Sequence, residues 1–532
     1  RRHTRCSRDW SSDVCSSDLL AALLAGQHVA CVRAVVIERL VGLQEFDRAI
    51  ENYDEAIKLN PGDAVFYHNR GNAYGNKRDF DRAIADHSQA IKLNPNYAMA
   101  FNDRGLAYGA KGESERAVAD FDQAAKLNPK SAMVFYNRGL TLKSRGEIDR
   151  AIGDFDTAIR LNPGYTAALY ARGNAHLIKR DLDRAIPDLD QALQLNPNYS
   201  VAFYDRGVAY GLKGDADHAI ADFDAAIKLD PTDALAFNSR GLAYRNKGDV
   251  AKAVESYDQA IKLEAGYALA YYNRGNAFYE KKDFDRAIAD FDQAVKLNPS
   301  HDLAFYNRAL ALREKGDLDR SAADFGKAIQ LDPKNALAYN NRGFAWRNKG
   351  ELDRAIVDFE QAVKLNPDYA IAFYNRGNAF YEKKDYDRAI VEYDQSIKLN
   401  PTFAGVFNSR GLAYDDKRET ERAIKDFDEA IKLNPNDALV YNNRGFAYRN
   451  KGDTDKAIAD YQQAIKLNPN YALAFYNRGI AYYDKRDFDK ASTDLNRAIK
   501  INPNYAGAFH DRGITNYDKR EFDRSEEHTS EL

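Results

Sequence analysis

Cysteine is nearly absent. The chain of 532 residues has three, Cys6, Cys15 and Cys31, and none beyond position 31. That excludes a disulfide framework or a cysteine-based zinc site from everything downstream. No apolar run reaches the roughly 18 residues that a membrane-crossing helix needs, so no membrane insertion is expected. Neither sign of charge dominates: 77 basic residues face 80 acidic ones, a net charge of −3. A bulk field that would draw in nucleic acid or an anionic membrane is therefore missing. The motifs of common chemistry are missing too. There is no glycine-rich phosphate loop ending in Lys-Ser/Thr, no His-Glu-x-x-His, and no serine or cysteine nucleophile motif. Histidines such as His68, His87, His176, His218, His301 and His510 are scattered at no metal-ligand spacing. The sequence thus predicts no enzyme, no metal and no cofactor.

What is present is a beat. Arg-Gly recurs every 34 residues from Arg70 to Arg512, broken only where Ala309 follows Arg308. A proline follows 25 residues after each such Arg through Arg478, with Ala265 the one lapse. A fixed period of this size means one supersecondary unit stacked many times, none of which can bury its apolar face alone. Length alone would suggest several globular domains; the repeat replaces them with a solenoid.

Ala268–His301 serves as the type copy. Tyr271, Gly275 and Phe278 fall at i, i+4 and i+7, and Phe284, Ala287, Ile288, Phe291, Ala294 and Val295 form a second helical stripe. Asp283 is placed to cap the second helix, Asp285 and Lys296 suit its dipole, and Pro299 stops it. The link at Lys282 becomes glycine in other copies (Gly112, Gly146, Gly214, Gly248), as a tight turn between helices requires. Each copy therefore reads as an antiparallel helical hairpin. Gly275 lets the two helices approach, and Ala287 and Ala294 leave room for Phe278 and Phe291.

This pattern of aromatic, Gly, aromatic, then Ala, aromatic, Ala and Pro resembles the tetratricopeptide repeat family. The resemblance runs from Gln44 to about Asp523 and rests on thirteen complete copies, 64–505. It implies an all-α, right-handed superhelical solenoid of antiparallel helix pairs. The departures are Tyr271 or Phe373 where the family often has Trp, and Arg where it usually has Leu. The arginine has a matching acid. Arg274 lies eight residues before the turn at Lys282 and Asp290 eight after it, and an aspartate recurs there in most copies; Ser256 and Glu392 are the exceptions. An Arg–Asp pair within each hairpin, or between neighbours, is expected. The alternative is an arginine stripe reading an anionic partner.

The resemblance also implies that partners lie in an inner groove lined by the first helix of each copy. On the type copy that selects Leu269, Tyr272, Asn273, Asn276, Tyr279 and Glu280. An asparagine precedes the arginine at Asn69, Asn137, Asn273, Asn307, Asn341, Asn375, Asn443 and Asn477. Such amides either clamp a peptide backbone, as in the repeat arm of O-linked N-acetylglucosamine transferases, or bridge neighbouring helices. A longer period of 102 residues places Asn72, Asn174, Asn276 and Asn378 in every third copy, and Arg245, Arg347 and Arg449 keep that spacing. Duplication of a three-copy block explains the pattern, and it spaces chemical features along the groove. Lysines and arginines that would clamp a C-terminal carboxylate are missing at the equivalents of Leu269 and Tyr272. The expected function is a non-catalytic scaffold for extended peptide or protein segments. The alternative is the repeat arm of a larger enzyme, such as a glycosyltransferase.

The ends depart from the beat. Segments 1–19 and 524–532 resemble translated sequencing adapter and are read as foreign. Segment 20–43 fits the repeat poorly, whether through a frame error or as a signal remnant; 44–63 reads as a half repeat and 506–523 as a truncated one. Uncapped terminal repeats would favour end-to-end self-association. The compartment stays open, the cytoplasm coming first and the periplasm or secretion following if 19–31 is a signal remnant.

Overall fold

The computed structural model describes residues 45–530, so segments 1–19 and 20–43 lie outside the described residues. The chain divides into two compact units between Glu264 and Ala265, at the one lapse in the proline series. The first unit opens with a helix over 45–59 and continues through hairpins from Ala64–Asn76 with Phe80–Leu93 to Ala234–Asn246 with Val250–Leu263. The second begins with Ala268–Glu280 and Phe284–Leu297 and runs to Ala472–Asp484 and Phe488–Ile501, followed by Ala506–Ser530. No strand occurs among the described residues. All thirteen expected hairpins are present; their first and second members are called A and B helices below.

The local signals act as their chemistry predicts. The Asp283 side chain accepts the Arg286 N–H at 3.2 Å and caps the B helix. At the other end Asn298 is extended, ahead of Pro299, and its Oδ1 accepts the N–H of Ser300 at 3.1 Å. The link between A and B takes a left-handed residue, Gly316 with φ 80° in one copy and Lys282 with φ 59° in the type copy. Glycine adopts that conformation freely and lysine does so at a cost. Pro187 lies inside Leu182–Leu195 without ending that helix.

Packing explains the Gly of the beat. A Cβ on Gly275 would stand 2.8 Å from the Phe291 ring, closer than any side chain tolerates. Ala287, Phe291 and Ala294 are fully buried beneath it. Ala309 occupies the same place in its copy, and there the ring pair changes: Tyr306 and Phe325 meet at 67°, against 48° for Tyr272 and Phe291. The core continues from copy to copy. Phe359 packs with Ala355 of its own B helix and with Ala379 of the next A helix, under Phe344 and Trp346. No hairpin buries its face alone.

The Arg of the beat is paired. Arg308 gives Nε to Asp324 Oδ2 at 2.6 Å and Nη2 to Oδ1 at 2.7 Å, while Nη1 reaches Asp292 in the preceding B helix at 2.6 Å. Arg70, Arg138, Arg172, Arg206, Arg410 and Arg444 repeat this three-helix bridge. Both expected pairings, within a hairpin and between neighbours, thus occur together. The two exceptions adjust: Arg240 donates to Ser256 at 3.1 Å, and Arg376 reaches Glu392 through Nη2 alone at 2.7 Å. Ala506–Ser530 runs as one helix of 25 residues, with no reversal at Arg520, and carries 506–523 and most of 524–532.

Candidate functional site

The A helices present the candidate residues on one face, and the asparagines there bridge neighbouring copies. Asn137 Nδ2 donates to Asn102 at 3.0 Å, Asn375 to Asn340 at 3.0 Å, Asn443 to Asn408 at 3.0 Å and Asn477 to Asn442 at 2.9 Å. Where the receiving residue is tyrosine the bond persists: Asn307 donates to the Tyr272 hydroxyl at 3.1 Å and Asn341 to that of Tyr306 at 2.8 Å. Every link joins residues 35 apart, because the fifth position of one A helix faces the sixth of the next. Asn273 is buried in the same row, and Asn69 is half-buried. The link commits one donor of each such amide to its neighbour, and two are engaged further: Asn307 also donates to Asn276, and the Asn341 carbonyl accepts from Arg313 at 2.9 Å.

The residues of the longer period do not share one role. Asn174 accepts from Lys143 at 2.9 Å and donates to Asp205 at 2.9 Å. Asn276 accepts from Asn307 at 2.8 Å, whereas Asn378 accepts from the Tyr393 hydroxyl at 2.8 Å. Asn72 and Arg245 are half-buried. Arg347 donates to Glu382 of the next copy at 2.5 Å, and Arg449 to Asp484 at 2.5 Å. One sequence pattern thus yields several local networks, because each position faces a different neighbour.

In the second unit this face opens into a cavity of about 400 Å³. Tyr374, Asn375, Asn378, Tyr381, Tyr393 and Ser409 supply its polar lining, Phe344 and Leu412 its apolar edge, and Arg347 with Glu382 its one ion pair. Asn375, Asn378 and Arg347 are sequence candidates that the fold brings together here. Tyr393 is not one of them. It lies on a B helix where most copies have phenylalanine, and its ring is buried in the core with only the hydroxyl reaching the A-helix face. The signal was the Tyr-for-Phe exchange itself, at Tyr257, Tyr393 and Tyr461.

Two further features stand out, the first at the Leu269 position that the sequence selects and the second beyond what it shows. The second position of the A helices forms a row of exposed aliphatics, including Met99, Leu235, Leu303, Leu337, Ile371 and Leu439. Near the start of the first unit, His68 and His87 are both buried with ring centroids 5.4 Å apart; His68 Nε2 lies 2.7 Å from Asp103 and its Nδ1 lies 3.1 Å from the Tyr97 hydroxyl. Burial, with the charges of His68 and Arg104, holds the His87 imidazole down at about 4 against the pull of Asp103.

An all-α array of stacked hairpins, each closed by a Gly–aromatic contact and presenting a laddered A-helix face, defines a helical-repeat scaffold. The chain belongs to the tetratricopeptide repeat family. A tetratricopeptide repeat family model matches 136–200, 170–234, 204–268, 238–302, 272–336 and 306–359. A second, described as TPR repeat, matches 39–77, 345–384, 377–417 and 447–485, and a third matches 64–97, 404–437 and 472–505. No curated protein matches the chain. Among solved structures, YrrB, described as a TPR protein with an unusual peptide-binding site, is 28% identical, covers 36% of this chain and 99% of its own, and gives a TM-score of 0.32. The Cut9–Hcn1 hetero-tetramer of the APC/C is 16% identical over 84% of this chain and 95% of its own, with a TM-score of 0.40. Yeast Tom70 is 18% identical over 80% and 97%, with a TM-score of 0.37. No described helix is long and apolar enough to cross a membrane. The chain is a repeat scaffold for protein interactions.

Proposed function

We propose that this scaffold is non-catalytic and holds extended segments of partner proteins along its A-helix face, with the copies between 336 and 437 as the principal contact. The cavity of about 400 Å³ carries this reading. Its lining offers amide and hydroxyl groups that can both donate and accept, and its one charged pair is internally neutralised. That chemistry suits a peptide backbone, whose N–H and C=O alternate and carry no net charge. Exposed Leu337 and Ile371 lie on the A helices of the same copies and offer apolar contact to alternate side chains of the segment.

Peptides selected by display on the full chain provide the test, with binding read by fluorescence anisotropy. Asn375→Ala combined with Asn378→Ala should weaken the selected peptides by about tenfold, the worth of one to two hydrogen bonds. Circular dichroism should show the helix content intact. Peptides that bind the double variant as tightly as the parent would remove the cavity from the site.

A further inference from the structure

The residues around Tyr393 have counterparts two copies on, where an acid replaces Arg347, an arginine replaces Tyr381 and an asparagine replaces Glu382. Adding 68 to each number maps Tyr393 onto Tyr461, Asn378 onto Phe446 and Arg347 onto Asp415. Tyr461 is 0% exposed, as Tyr393 is. The Tyr393 hydroxyl has Asn378 to donate to, whereas Phe446 offers no acceptor, and the buried Tyr461 hydroxyl has no hydrogen-bond partner. Asp415 stands where Arg347 helps line the first cavity, and the charges that act on the Tyr461 phenol are that of Arg449 first, then those of Asp460, Asp484 and Asp415. Its Oδ2 takes a hydrogen bond from Asn450 at 3.3 Å and Thr420 lies near enough to act on the carboxylate, while its Oδ1 is buried with no partner in hydrogen-bond geometry. Two unsatisfied polar atoms, one an acceptor and the other able to donate or accept, thus serve the same part of the A-helix face.

Charge decides what would satisfy them. Asp416 lies beside Asp415 and accepts from the Tyr381 hydroxyl at 2.6 Å, which joins this place to the wall of the first cavity. Neither carboxylate has an ion pair among the described residues. The cations nearby are committed elsewhere, Arg449 to Asp484, and Lys417 to Asp387 and Glu419. Burial, and then the charge of Asp416, pushes the Asp415 carboxyl up, so the folded chain holds this charge at a disadvantage that a cation would relieve. A neutral donor would satisfy Oδ1 and leave the excess negative charge; a cation answers both.

We propose that Asp415 and Tyr461 form an anchor for a cationic side chain, a lysine or an arginine, carried by the segment that the A-helix face binds. Asp415 Oδ1 accepts from the ammonium or guanidinium, and the Tyr461 hydroxyl supplies a second acceptor and fixes its direction. The inference rests on the reading of the A-helix face as a peptide site and adds the charge that its ligand must carry there.

The test uses the full chain and three capped peptides derived from one displayed binder. The peptides are identical except for one residue, placed by scanning, that is lysine, norleucine or glutamate. The lysine peptide should bind about tenfold more tightly than the norleucine peptide, the worth of one charge-assisted hydrogen bond, and the glutamate peptide more weakly than both. Asp415→Asn should erase the lysine advantage while leaving norleucine affinity unchanged, and the melting temperature should stay level or rise because a buried charge has gone. Tyr461→Phe should reduce the advantage a few-fold. If lysine and norleucine bind alike at every scanned position, or the lysine advantage survives in Asp415→Asn, the anchor is wrong and the A-helix face still stands as a peptide site. If none of the peptides responds to substitutions on the A-helix face, both readings fall.

Discussion

Glu392 is one methylene longer than the aspartates whose place it takes, and that changes how its arginine is satisfied. Elsewhere the shorter acid meets Nε and Nη2 as a fork, as Asp358 does with Arg342 at 2.8 and 2.7 Å. Glu392 reaches Nη2 alone, and the Nε of Arg376 is left buried without a partner. An unsatisfied buried donor costs about 1–3 kcal/mol. Glu392→Asp should restore the fork and stabilise the chain by about 1 kcal/mol, read as a higher midpoint in urea unfolding. A midpoint that stays level or falls would show that the backbone at this copy has settled around the glutamate. The pairing of Arg with Asp was legible in the sequence because both recur at one period and lie equally far from the turn. The idle Nε was not, because it depends on side-chain reach.

The hairpin from Ala64 to Leu93 differs from its neighbours by having histidine in its core. His87 fills the place that Phe291 has in the type copy, and a Cβ on Gly71 would meet its ring at 2.7 Å. The ring is buried, 2% exposed, with Nδ1 unpartnered, so this hairpin holds the imidazole neutral. His68, Asp103 and Arg104 are the charged or titratable groups that act on it. Its folded value of about 4 lies below the ordinary 6.5, so the unfolded chain takes up the proton first. Stability from the neutral ring is complete above pH 6.5 and is lost as pH falls from 6.5 towards 4, by at most about 3 kcal/mol. Hydrogen exchange between pH 7 and pH 4.5 should show this hairpin opening before the interior ones once intrinsic exchange rates are removed. His87→Phe should abolish the difference; an unchanged pH profile in that variant would place the sensitivity elsewhere. That hairpins form at all was legible from caps, periodicity and the proline stop. The acid sensitivity of one hairpin required knowing that two histidines 19 residues apart in the sequence are buried against each other.

Across the array, the arginine beat does more than close hairpins. Arg206 holds Asp222 in its own B helix at 2.6 Å and Asp190 in the preceding one at 2.6 Å, so a single guanidinium ties three helices. In a repeat array, stability is the sum of the hairpins and the interfaces between them, and this bridge contributes to both. Asp222→Ala should destabilise the chain by about 2 kcal/mol, less than for a fully buried pair because Asp190 still answers the charge. Arg206→Met with Asp222→Leu should cost under about 1 kcal/mol, because no buried charge is left unpaired and Asp190, which loses its partner, is exposed to water. Denaturant midpoints of the three chains give the comparison, and a double variant no better than Asp222→Ala would contradict a charge-pairing role.

The sequence by itself determined the hairpin, its length, its caps, the Gly–aromatic contact and the Arg–Asp pairing, since all of these are set by spacing within one copy and repeat with it. Only the tertiary structure decided what the A-helix face is. Its asparagines proved to be bridged to the neighbouring copy, its longer-period residues were distributed among unlike networks, and a tyrosine from the B helix entered the cavity. The reason is physical: spacing along one chain places a residue on a helix face, but which atoms meet across two copies depends on how the helices stack and how far each side chain reaches. Phe446 in place of an asparagine is an ordinary substitution in the sequence, and it leaves the Tyr461 hydroxyl without a partner only because of where that ring ends.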